Sequence, residues 1–124
     1  MLLQIEHAQL HRIFYLLKPC QQLQACFFSH NEIHTKDITY ISSLGRLRKL
    51  DLSFNSISFF PEAHYLKNLK HLEFLLMHHN EMVGWSQVQN FAQIKNLRHL
   101  TLQGNPCSKI TGFRKYLIEM LPNI

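Results

Sequence analysis

Apolar positions return along this chain in one fixed frame, LxxLxLxxNxL. Four segments carry it: Leu23, Cys26, Phe28, Asn31 and Ile33; Leu47, Leu50, Leu52, Asn55 and Ile57; Leu72, Leu75, Met77, Asn80 and Met82; and Leu97, Leu100, Leu102, Asn105 and Cys107. Their asparagines lie 24, 25 and 25 residues apart (31 to 55, 55 to 80, 80 to 105). The alternation around each fourth and sixth position predicts a short strand with those two side chains turned inward. A second apolar pair precedes every strand. Three residues before each first leucine stand Cys20, Leu44, Leu69 and Ile94, and three earlier stand Leu17, Ile41, Leu66 and Phe91. That spacing predicts a helical turn facing the same core.

A period of this length with this frame is the leucine-rich-repeat signature. The predicted fold is therefore an α/β solenoid. A short parallel sheet lines its concave face, helices or turns cover its convex face, and a capping helix ends it. A single domain over residues 1–124 is expected, with a partial repeat at 1–22, repeats starting near 23, 47, 72 and 97, and a cap at 106–124. In the partial repeat Leu3, Ile5 and Leu10 fit the frame, and Ala8 stands where asparagine belongs. The chain thus starts inside a strand and reads as part of something longer. Asn31, Asn55, Asn80 and Asn105 are expected to form a structural ladder, because buried amides need backbone partners. Past Pro106, residues Phe113, Tyr116 or Leu117, Met120 and Leu121 follow helical spacing, and Pro122 ends the helix.

Composition narrows the class. With 46% hydrophobic residues in 124, the chain supports one packed core and is not disordered. Cys20, Cys26 and Cys107 are odd in number and lack ligand spacing, which points to free thiols, a reducing intracellular compartment and no zinc site. No apolar run approaches the ~20 residues of a membrane span, and the start lacks a signal-peptide pattern. The net charge of +5 is scattered, with no basic run.

Positions two, three, five, seven and eight of the frame face the concave side or its rim. The expected partner-binding residues there are Phe27, His30, Arg48, Asp51, Phe54, Phe74, Leu76, His78, His79, Arg98 and His99. Aromatic side chains with arginines nearby have the composition of an interaction hot spot. Asp51 and Glu73 share this face, but an open sheet offers no pocket to shift a catalytic carboxylate, and Arg48, Lys49 and Arg98 are expected to balance them. His30, His78, His79 and His99 lack any HExxH or CxxC frame and read as solvated rim residues. No catalytic, cofactor or metal residue is expected, and the chain is not expected to be an enzyme.

The segment Leu-Arg-Lys-Leu-Asp-Leu-Ser-Phe-Asn, residues 47–55, resembles the short-repeat subfamily of the protein phosphatase 1 regulator and axonemal dynein light-chain type. Gly104-Asn105-Pro106, Gly112-Phe113-Arg114 and Leu121-Pro122 resemble that subfamily's C-terminal cap, with Phe113 replacing its tyrosine. Residues 17–31, Leu-Lys-Pro-Cys-Gln-Gln-Leu-Gln-Ala-Cys-Phe-Phe-Ser-His-Asn, look like ciliary leucine-rich proteins that also carry IQ segments. No IQ segment occurs here, so calmodulin binding does not carry over. The resemblance implies a cytoplasmic scaffold within a large assembly, the ciliary or flagellar axoneme, with tubulin, dynein or radial-spoke proteins as partners. It leaves open a phosphatase-targeting subunit. A ribonucleoprotein subunit is the alternative of another class, supported by the net charge and by Lys109, Arg114 and Lys115, although no basic stripe with interleaved aromatics is present.

Overall fold

A computed structural model describes residues 1–10 and 12–124. Among the described residues, five short strands are laid down in chain order: β1 (Leu2–Gln4), β2 (Ala25–Phe27), β3 (Lys49–Asp51), β4 (Phe74–Leu76) and β5 (His99–Thr101). They form one parallel sheet in the order β1-β2-β3-β4-β5. The register keeps equal frame positions side by side: Cys26 pairs with Leu50, Leu50 with Leu75, and Leu75 with Leu100. Each residue of one repeat therefore neighbours its counterpart in the next, about 4.8 Å away.

The return segments are brief. They are α1 (Ile13–Leu17), α2 (Thr35–Ile38), α3 (Ala63–Leu66) and α4 (Val88–Phe91), with 3₁₀ turns at Thr39–Ser43 and Trp85–Gln87. Such short helices have no stability of their own in water. They persist because each drives one apolar pair inward. Ile41, Leu66 and Phe91 are fully buried, as are Leu44, Leu50, Leu52, Leu75 and Met77. Aromatic packing joins neighbouring repeats, with Phe14 edge-on to Phe28 at 5.7 Å and Phe60 against Phe91 at 4.8 Å.

The last repeat is closed by a 3₁₀ turn (Pro106–Lys109) and α5 (Phe113–Met120). Phe113 is buried, and Tyr116 stacks on Trp85 at 4.8 Å while its hydroxyl donates to the Trp85 carbonyl. The helix stops one residue earlier than the apolar spacing predicts. Leu121 leaves helical geometry (φ −128°, ψ 66°) because the ring of Pro122 crowds an α-conformation at the residue before it. Among the described residues, no helix is long and apolar enough to cross a membrane.

Candidate functional site

Each three-residue strand turns its middle side chain into the core and its two flanking ones onto the concave face. The flanking residues of β2, β3 and β4 are half-buried, and their middle residues are buried. Phe27, Phe74 and Leu76 are thus half-covered, whereas Phe54, in the turn beyond β3, is exposed. Lys49 reaches between two rings, with its Nζ 5.4 Å from the centroids of both Phe27 and Phe74. Phe74 stacks on His99 at 4.3 Å, nearly parallel. Phe27, Lys49, Phe74 and His99 therefore make a row across β2–β5 that alternates apolar planes with one fixed cation.

A second column lies where the chain leaves each strand. The residue just before each ladder asparagine takes a left-handed backbone: His30 (φ 56°), Phe54 (φ 55°), His79 (φ 57°) and Gly104 (φ 77°). His7, just before Ala8, does the same (φ 54°). The identical backbone sets the rings in register. His7 stacks on His30 at 4.4 Å, His30 on Phe54 at 4.2 Å, and Phe54 on His79 at 4.4 Å. The column ends on Gly104, the residue over which the His79 ring lies.

The asparagines hold this turn. Asn55 donates through Nδ2 to the carbonyls of Phe28 and Leu52, and its Oδ1 accepts from the Ile33 N–H. Asn80 spans Leu52, Met77 and Ile57 in the same way, and Asn105 spans Met77, Leu102 and Met82. Asn31 bonds Ile5, Phe28, Ala8 and Leu10, so the repeat that lacks its own asparagine is tied by its neighbour's.

One of the expected charge pairings forms, that of Arg48 with Glu73. Arg48 meets Glu73 at 3.2 Å in a largely exposed pair, which contributes little to stability. Among the described residues, no lysine or arginine forms a salt bridge with Asp51. It accepts from the Ser53 hydroxyl at 2.7 Å and the Ser53 N–H at 3.0 Å. Arg98 donates to the Lys95 and Leu97 carbonyls. Of the four histidines read as rim residues, His30, His79 and His99 are exposed and also stack on other rings. His78 instead shares a 2.7 Å hydrogen bond between its Nδ1 and the Thr101 hydroxyl. Burial holds the His78 pKa below its usual range, and His79 and His30 push the same way against Asp51. His7 and the stacking role of Gly104 were missed from the sequence. The available signal was their place just before Ala8 and Asn105.

The thiols separate by burial. Cys26 is fully buried, and its pKa is pushed up to about 12 by desolvation and by Cys20. Desolvation also raises Cys107, against the pull of nearby backbone N–H groups. Only the thiolate is alkylated. In folded protein at pH 8, iodoacetamide is expected to label half-buried Cys20 and to spare Cys26 and Cys107 until denaturant is added. Equal labelling of all three, read by peptide mass spectrometry, would contradict this burial.

One strand per repeat in a parallel sheet, closed by an asparagine ladder, defines a leucine-rich-repeat protein. The family model described as Leucine Rich Repeat matches residues 46–66. The chain is 32% identical over 108 residues to mouse leucine-rich repeat and IQ domain-containing protein 3, covering 85% of this chain and 16% of that protein. It is 35% identical over 75 residues to Bos taurus leucine-rich repeat-containing protein 51, covering 60% of this chain and 38% of that one. Among solved structures, the Drosophila melanogaster SNF/U2A' complex contains a chain that superposes with a TM-score of 0.81 at 20% identity, covering 98% of this chain and 68% of that one. An internalin from Listeria monocytogenes superposes at 0.57, also at 20% identity, covering 94% of this chain and 38% of that one. These two likenesses concern the fold.

Proposed function

We propose that the chain is a non-catalytic protein-interaction module that holds a segment of a larger partner across its concave face. The observation that carries this reading is the row Phe27, Lys49, Phe74 and His99, beside the ring column of His30, Phe54 and His79. Aromatic side chains held by stacking lose little entropy on binding, which suits them to anchor a partner. Leu76, Asp51, His78, Arg48 and Arg98 complete the proposed face.

The setting we propose is a cytoplasmic scaffold in the ciliary or flagellar axoneme. Its support is the resemblance of residues 17–31 to leucine-rich proteins with IQ segments, together with the 32% identity to a protein of that name. The test is affinity purification of the tagged chain from ciliated cells with mass spectrometry. Intact chain should retain tubulin, dynein or radial-spoke proteins. A Phe27→Ser, Phe74→Ser variant should keep its circular dichroism and lose them. Retention at the wild-type level would refute the concave reading, and recovery of a phosphatase catalytic subunit instead would replace the axonemal one.

A further inference from the structure

The rim where the strands begin differs from the rim where they end. Segments 45–49, 70–74 and 95–99 lead into β3, β4 and β5, and they hold six lysines and arginines and one carboxylate, Glu73. The rest of the chain holds seven of each sign, so the formal net charge of +5 resides in these three segments. The backbone places them side by side. Arg48 N–H donates to the Gln24 carbonyl, Glu73 N–H to that of Arg48, and Arg98 N–H to that of Glu73. Arg46, Arg48, Lys70, His71, Lys95 and Arg98 are all exposed along this line. Glu73 is already engaged by Arg48. An open cleft of about 290 Å³ runs between Arg46, Arg48, His71 and Glu73.

We infer that this rim is a docking strip for an acidic polypeptide segment of the partner, an inference that rests on reading the concave face as protein-binding. Complementary charge along one edge fixes the direction in which a partner lies and speeds its capture. A single-stranded nucleic acid is gripped through free ring faces for its bases as well as cations for its phosphates. Apart from Phe27, which lies beside the Lys49 ammonium, the concave rings are turned to one another. His30 has His7 on one face and Phe54 on the other, and Phe54 lies between His30 and His79. The Phe74 ring already has His99 stacked on it and the Lys49 ammonium beside it. Carboxylates need only the cations.

The test uses a short fluorescein-labelled glutamate–alanine peptide and a labelled oligouridylate of matched charge, read by fluorescence anisotropy at low and high salt. Two variants carry equal charge change: Arg46→Glu, Lys70→Glu, Lys95→Glu on the rim, and Lys36→Glu, Lys109→Glu, Lys115→Glu away from it. The rim variant should bind the peptide about tenfold more weakly, and the control within about twofold of wild type. Equal weakening of both would reduce the effect to net charge and overturn the inference. So would oligouridylate binding more tightly than the peptide. If the rim variant melts early, Lys70→Gln with Lys95→Gln should weaken the peptide in proportion without reversing charge, and an unchanged affinity would overturn the inference equally. The ring variant Phe27→Ser, Phe74→Ser should still bind the peptide. A rim variant that keeps both peptide and cellular partner defeats the rim alone. A ring variant that keeps the cellular partner defeats the concave reading alone.

Discussion

Replacing Asn80 by leucine is expected to destabilise the chain by about 3 kcal/mol, because the Ile57 N–H would be left buried without an acceptor and two carbonyls would each lose a donor. Asn80 is only 6% exposed, so water does not replace what is lost. An exposed change such as Asn123→Leu should fall within about 0.5 kcal/mol of wild type. The ladder's geometry predicts more than one number. Each interior carbonyl is held by two asparagines: Phe28 by Asn31 and Asn55, Leu52 by Asn55 and Asn80, and Met77 by Asn80 and Asn105. Removing Asn80 leaves Met77 with one donor, and removing Asn105 as well leaves it with none. The double variant Asn80→Leu, Asn105→Leu should therefore cost about 1 kcal/mol more than the two single changes together. Asn31 and Asn105 share no carbonyl, so their changes should add. Urea unfolding with unchanged m-values would measure both. A single-site loss below about 1 kcal/mol would mean that the amide is not the link between repeats.

The strands, the inward positions and the parallel order were legible because one constraint repeats. Every repeat must bury its fourth and sixth residues against the next, and Leu50, Leu52, Leu75 and Met77 do so completely. The concave rings could be located but not their mutual arrangement. Frame position eight, which carries His30, Phe54, His79 and Gly104, is exposed in each of these repeats, so hydrophobic periodicity says nothing of its backbone. The left-handed turn at His30, Phe54 and His79 carries no glycine, asparagine or proline to mark it, and histidine's modest enrichment in that conformation is too weak a signal to place it. Once the register is known, the stack follows, since equal positions lie one strand apart and equal backbones aim their rings alike. Charge pairing was the least legible feature. Lys49, Arg48 and Arg98 all lie near Glu73 and Asp51 in the frame, and side-chain rotamers decided that one pairs, one lies over rings and one turns to its own backbone. Long flexible cations on an open face carry no sequence signal for that choice.

The end of the ring column gives the other large effect. Gly104 has φ 77°, and a Cβ built there would fall inside contact distance of Nδ1, Cε1 and Cγ of His79. Four non-glycine residues tolerate the same left-handed backbone in earlier repeats, so conformation alone does not demand glycine at 104. The His79 ring does. Gly104→Ala must push that ring away from Phe54, on which it stacks at 4.4 Å. The expected cost is about 2 kcal/mol, shared between left-handed strain and the lost stack. A second change separates the two parts. With His79→Ala the obstructing ring is gone, and Gly104→Ala then carries the strain alone. The double variant should be less destabilised than the sum of the singles by about 1 kcal/mol. Strict additivity would mean that His79 does not rest on Gly104, and the column would then end at Phe54. Coupling of the expected sign would establish why the last repeat carries glycine where the earlier ones carry rings: the column closes on a residue with no side chain, and His79 folds down over it.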